Sequence, residues 1–153
     1  MLARMWRPAT AADDDAIVRS SLALFTEDPS PEPVDDAQVR RTLVALRAEP
    51  LRGRAVVLEI DGVVVGHAFL ISFWSNELGG DVCTIDELYV GPSARGDGHA
   101  SALLGALARG QLYPDAVALQ LEVTPNNARA LRLYQRLGFA GKNVGLRKRV
   151  VRT

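Results

Sequence analysis

The chain has a single cysteine, Cys83, which excludes an internal disulfide framework and a cysteine-rich zinc site. It has no excess of either charge: eighteen Lys and Arg balance eighteen Asp and Glu. A protein that coats nucleic acid would carry a clear basic surplus, so no nucleic-acid partner is expected. No apolar run approaches the ~20 residues of a membrane-spanning helix. The longest stretch, Val63 to Phe73, is interrupted by Gly66 and His67. The opening residues, Met1 to Pro8, contain no apolar segment of the secretory type. Repeats and low-complexity tracts are also absent. With 48% hydrophobic, 24% charged and 6% aromatic residues, the composition is that of a globular domain, neither disordered nor fibrous. We therefore expect one domain over residues 1–153, cytoplasmic, with no membrane or metal partner.

The charges are balanced in total but not in place. Residues 11–36 hold Asp13, Asp14, Asp15, Glu27, Asp28, Glu32, Asp35 and Asp36 against one base, Arg19. The last residues hold Lys142, Arg147, Lys148, Arg149 and Arg152 with no acid among them. Such runs form either solvated surfaces or local fields that attract an oppositely charged ligand.

Hydrophobic periodicity orders the elements. Thr10 with Asp13 resembles a capping box and opens a helix over about 11–26, broken by Pro29, Pro31 and Pro33. Asp35 or Asp36 caps a second helix that carries Val39, Leu43 and Leu46 on one face. From Ala55 the period becomes that of strands. Asp61-Gly62 is a type I′ hairpin turn, and Val63–Phe73 and Val82–Val90 complete a three-strand meander. Ala100, Leu103, Leu104 and Leu107 mark a third helix, Val117–Val123 a strand, and Ala130, Leu133, Tyr134 and Leu137 a fourth helix ended by Gly138. A final strand pair is expected over 139–151, turning at Gly145. The crossover through the third helix makes the strands before and after it parallel, within an otherwise antiparallel sheet.

Two stretches carry chemistry. In the first, Leu88 to Ala100, a strand ends, a turn with Gly96 and Gly98 follows, and a helix begins. Exposed N–H groups at such a turn and the positive end of the helix dipole suit a phosphate or pyrophosphate, and Arg95 adds a cation there. No Gly-Lys-Ser/Thr follows, so this is not a Walker loop, and a dinucleotide fingerprint lacks its third glycine. The second stretch, Glu122 to Phe139, contains an Asn126-Asn127 helix cap and, two turns beyond Asn127, Tyr134. That phenol could donate a proton or simply pack.

Taken together, Val90-x-Pro92-x-x-Arg95-Gly96-x-Gly98-x-Ala100 and Asn127-x-x-Ala130-x-x-Leu133-Tyr134-x-x-Leu137-Gly138-Phe139 resemble the GNAT superfamily of acetyl-CoA-dependent N-acetyltransferases. The resemblance spans nearly the whole chain, including the Arg7-Pro-Ala-Thr start. It implies an α/β fold of the GNAT type. The central sheet would be mixed and mostly antiparallel, with a splayed parallel strand pair and about four flanking helices. It also implies that Leu88, Tyr89 and Val90 bond the pantetheine arm of acetyl-CoA. Arg95, Gly96, Asp97, Gly98, His99 and Ala100 would hold the pyrophosphate, and Asn127 would touch the arm from the other side.

Tyr134 matches the position that protonates the departing thiolate, with a backbone N–H near Tyr89 facing the oxyanion. An amine acceptor needs a base, and Asp86 sits where polyamine-type relatives place a glutamate. Glu87 is the alternative, on the opposite face unless a bulge intervenes. His99 fills a slot that is usually aliphatic, so it either packs or meets the phosphates. Trp74 and Glu77, in the turn before the Asp86 strand, would shape the acceptor site. The resemblance implies a small cationic amine as acceptor, of polyamine or aminoglycoside type, drawn by the acidic stretch. The alternatives are a protein lysine or N-terminus, or a non-catalytic acyl-CoA-binding domain. The short region after Phe139 leaves one wall of the acceptor site open, or completed by a partner in a homodimer.

Overall fold

A computed structural model describes residues 5–152. The chain forms two compact units, one ending at Glu122 and one beginning at Val123.

The first unit is built on five strands, β1 (Trp6–Pro8), β2 (Gly53–Ile60), β3 (Val63–Ser75), β4 (Gly80–Val90) and β5 (Ala116–Leu121), side by side in that order. Neighbours from β1 to β4 are antiparallel, and β4 and β5 are parallel. The β2–β3 hairpin turns at Asp61 and Gly62 with φ of 51° and 78°, the paired positive values of a type I′ turn. Helices α1 (Asp14–Glu27), α2 (Asp36–Ala48) and α3 (His99–Ala108) flank the sheet. Val56, Val57 and Leu58 are consecutive and all fully buried, so both sheet faces are covered. On one face Val57 and Phe69 pack against Ile17 and Val18 of α1 and Val39, Leu43 and Leu46 of α2. The α2 stripe is the one the periodicity predicts.

On that face α2 starts from a matched cap. The Asp35 carboxylate accepts from the Gln38 amide at 2.8 Å, and the Gln38 side chain accepts from the Asp35 amide at 2.6 Å. Before α1, a 3-10 turn (Ala11–Asp13) has the Thr10 amide donating to Asp13 Oδ2 at 2.8 Å. Arg7 on β1 grips Asp13 through both terminal nitrogens, at 2.9 and 3.0 Å, and donates through Nε to Glu59 on β2. The guanidinium holds the Asp13 carboxyl below its ordinary range.

The second unit contains α4 (Ala128–Arg136). Asn127 caps it, its side chain accepting from the Ala130 amide at 3.2 Å. At its other end Gly138 has φ of 91°, and the amides of Gly138 and Phe139 return to the carbonyls of Gln135 and Tyr134. This is the Schellman arrangement expected of a glycine there. The strand pair expected over 139–151 is not formed: residues 139–152 carry no regular structure, and Val144, Leu146, Val150 and Val151 are 83–94% exposed. A lone two-stranded hairpin is marginal in water, and this unit supplies no further strand to support one.

Candidate active site

Beta strands need partners for their backbone groups, and β4 loses one partway along its length. Its pairing with β5 runs from Asp81↔Ala116 to Ile85↔Leu121 and stops there. Its pairing with β3 continues to Val90↔Gly66. From Glu87 to Val90, therefore, one edge of β4 has no neighbouring strand among the described residues. Here β5 itself ends at Leu121, and Leu88, Tyr89 and Val90 all lie on the edge of β4 beyond it. An extended amide-bearing ligand could add to that edge as a strand would.

The register of β4 against β3 also slips here. Phe69 pairs with Glu87 and Leu70 with Ile85, leaving Asp86 as the extra residue of a bulge. The simple alternation is thereby broken, and the bulge decides how the two carboxylates are placed. Asp86 is exposed and has a partner of its own. Glu87 falls beside Phe69 on the face covered by α1, with its side chain 11% exposed. Its Oε1 accepts from Ser21 Oγ at 2.6 Å and meets His67 Nε2 at 2.8 Å. Both bonds fall on the same oxygen.

After β4, Gly91 leads into a 3-10 turn (Pro92–Ala94) and then the glycine turn. Gly96 and Gly98 have φ of 87° and 78°, a region that costs other residues about 1–2 kcal/mol. Space is not the constraint, since a Cβ at either would meet nothing within 4 Å. Gly98 caps α3, so the amides of His99, Ala100 and Ser101 have no acceptor within the helix. Glycine conformation, free helix amides and a neighbouring guanidinium together fit a pyrophosphate.

Arg95 does not project freely into solvent. It donates to the Val90 carbonyl at 2.8 Å and to Glu27 of α1 at 2.7 Å, and lies 5.4 Å above the Tyr89 ring. Burial and the Glu27 charge push the Tyr89 phenol above its ordinary value. The His99 side chain turns inward at 4% exposure, and its carbonyl accepts from the Trp6 indole at 2.9 Å. It packs, and what it can offer a phosphate is its backbone amide. Asp97 is exposed in the same turn.

In the second unit Tyr134 is half-buried, its ring edge-on to Phe139 at 6.0 Å. Burial raises its phenol above the ordinary value, so it is protonated at neutral pH.

Trp74 and Glu77 are not brought to the open edge. Trp74 pairs with Asp81 near the start of β4, roughly 15–20 Å along the strand from Glu87. It is 68% exposed, beside exposed Phe73 and Leu78. Nor is the acidic stretch an open field. Asp13 pairs with Arg7, Asp14 with Arg47, Asp15 and Asp36 with Arg40, and Glu27 with Arg95. All four of these arginines lie outside the stretch in sequence, so the imbalance is smaller in space than along the chain.

The network of Ser20, Ser21, His67 and Glu87 was not foreseen. Its one sequence signal is a histidine inside an otherwise apolar strand, which must find a partner once buried. Among the described residues no cluster of His, Cys, Asp and Glu could hold a metal ion, and no helix is long and apolar enough to cross a membrane.

Comparison with known proteins agrees with this architecture. Residues 17–139 match the model of the "Acetyltransferase (GNAT) family". No curated protein sequence matches the chain. Among solved structures, an integron cassette protein from the Cole Harbour salt marsh metagenome superposes with a TM-score of 0.80 at 25% identity, over 100% of this chain and 94% of that one. The "possible acetyltransferase" of Clostridium difficile 630 gives 0.81 at 21% identity, over 97% of each chain. A ribosomal-protein-alanine N-acetyltransferase from Brucella melitensis biovar Abortus 2308 gives 0.73 at 21% identity, over 95% of this chain and 99% of that one. With the family model covering most of its length, and the fold with its parallel strand pair in agreement, the chain belongs to the GNAT acetyltransferase family.

Proposed function

We propose that the protein is an N-acetyltransferase that moves the acetyl group of acetyl-CoA to a primary amine, with a small cationic amine as acceptor. The observation that carries this reading is the edge of β4 from Glu87 to Val90, which no strand among the described residues pairs, and the glycine turn of α3 that follows it. Acetyl-CoA supplies an activated thioester and a long arm bearing amides and a pyrophosphate. In this reading Leu88, Tyr89 and Val90 bond the arm, and Arg95 with the amides from Gly96 to Ala100 takes the pyrophosphate. Asn127 contacts the arm.

Glu87 is the base in preference to Asp86. Both bonds to Glu87 fall on Oε1, so Oε2 is the oxygen left to accept a proton from the amine, directly or through water. The freed amine nitrogen attacks the thioester carbonyl, a backbone N–H near Tyr89 faces the oxyanion, and Tyr134 protonates the departing thiolate. Trp74 and Glu77 touch the acceptor only if it is long enough to reach the far end of β4. The exposed Phe73, Trp74 and Leu78 favour a second reading on that point, in which the acceptor is a peptide or protein amine laid along the hairpin.

Thiol release from acetyl-CoA, followed with spermidine, aminoglycosides and peptides bearing a free lysine or N-terminus, tests both. Turnover with a polyamine or aminoglycoside supports the first, and turnover confined to peptides supports the second. Acetyl-CoA binding without turnover across the panel would point to a non-catalytic acyl-CoA-binding domain.

A further inference from the structure

His67 has 0% exposure in the middle of β3, opposite Val57 and Tyr89, with the Phe69 ring edge-on at 5.3 Å. Burial of an imidazole favours partners for both ring nitrogens, and each has one here. Nε2 lies 2.8 Å from Glu87 Oε1 and Nδ1 lies 2.7 Å from Ser20 Oγ.

One of these bonds has a fixed direction: a carboxylate has no proton to give, so the contact with Glu87 requires the proton on Nε2. Nδ1 meets the Ser20 oxygen, whose hydroxyl also donates to the Ile17 carbonyl at 3.1 Å along its own helix. Ser21, one residue on, donates to the same Oε1 at 2.6 Å. Two donors, one from β3 and one from α1, thus converge on a single oxygen of Glu87. The carboxylate is held in one rotamer with Oε2 turned to the other side.

We propose that His67 is a positioning residue for acetyl transfer: held at Nδ1 by Ser20 and donating from Nε2, it fixes Glu87 so that Oε2 faces the acceptor amine. Tyr89, whose ring lies 6.2 Å from His67, and the Glu27 and Arg95 pair beyond it lie on this side too. None of these makes a hydrogen bond to the imidazole, whose partners are Glu87 and Ser20. The inference rests on the reading of Glu87 as the base.

The test combines kinetics with a measurement that needs no turnover. His67→Leu keeps an apolar strand residue but removes the donor, and kcat should fall about ten- to a hundred-fold, the range for a lost hydrogen bond to a charged group, while KM for acetyl-CoA stays unchanged. His67→Gln, which can present an amide N–H near the Nε2 position, should recover most of that loss. A purely structural role would lower the melting temperature of both variants without splitting kcat from KM. Nitrogen-15 spectra of the imidazole should show Nε2 protonated in the wild type. A dominant Nδ1–H tautomer overturns the proposal whether or not an acceptor is known. A folded His67→Leu with wild-type kcat, where Glu87→Gln is inactive, overturns it and leaves Glu87 as the base. An active Glu87→Gln removes the base reading itself.

Discussion

The contact between Glu27 and Arg95 makes a prediction that runs against the usual effect of breaking an ion pair. If Arg95 serves the pyrophosphate, Glu27 competes with the ligand for the same guanidinium. The two carboxylate and guanidinium groups are 2.7 Å apart, with side chains 43% and 37% exposed. A pair this open is worth about 0.2–1 kcal/mol. Replacing Glu27 with glutamine should release that amount to the complex and tighten acetyl-CoA binding about 1.4- to 5-fold. Arg95 remains placed by the Val90 carbonyl and the Tyr89 ring, so little positional order should be lost. Arg95→Ala should act in the opposite sense and weaken binding about ten-fold or more, the cost of a charge-assisted hydrogen bond. Isothermal calorimetry at low and high salt measures both, and the Glu27→Gln gain should shrink as salt screens the pair. A Glu27→Gln variant that binds acetyl-CoA more weakly, while remaining folded, would mean that Glu27 organises Arg95 for the ligand. The competition argument would then be refuted.

Three further expectations concern stability and chemistry. The Asp13 carboxyl is held below its ordinary value of 3.8, chiefly by its hydrogen bonds from Arg7. Its contribution to stability is therefore complete above that value and lost as pH falls through the lower folded one. Asp13→Asn should cost about 1–2 kcal/mol at neutral pH and flatten the fall in melting temperature below pH 4; an unchanged acid limb would contradict it. Burial pushes the Cys83 thiol up to about 12, so a thiol reagent at pH 8 should label it only on unfolding, and rapid labelling of the folded protein would place it wrongly in the core. Tyr134→Phe removes the proposed acid and should lower kcat with acetyl-CoA affinity nearly unchanged; an unaltered kcat would remove that role.

Local signals in the sequence predicted well where the structure is locally determined. The Asp61-Gly62 turn, the Asp35 cap with its apolar stripe and the glycine after α4 need only a few neighbouring residues to be specified, and each formed. The slip in register at Asp86 is different, because it depends on how two strands align across their whole length. Without it, alternation favours Asp86 over Glu87; with it, Glu87 is carried to the helix-covered face beside His67. The same limit hid the Ser20, His67 and Glu87 network, whose members are 47 and 20 residues apart. It also hid the arginines that answer the acidic stretch. The apolar residues after Phe139 read as strand by composition, but a strand exists only with a partner, and their own unit provides none.

The central claim is that acetyl-CoA is received by the open edge of β4 and the glycine turn that follows it. Amide spectra of the nitrogen-15-labelled protein, recorded as acetyl-CoA is added, test this without an acceptor. The account predicts saturable shifts in Leu88, Tyr89 and Val90 and from Arg95 to Ala100, with the hairpin around Trp74 and Glu77 unmoved. Saturable binding that leaves the β4 edge and the glycine turn unshifted, or no binding at millimolar acetyl-CoA, would contradict it.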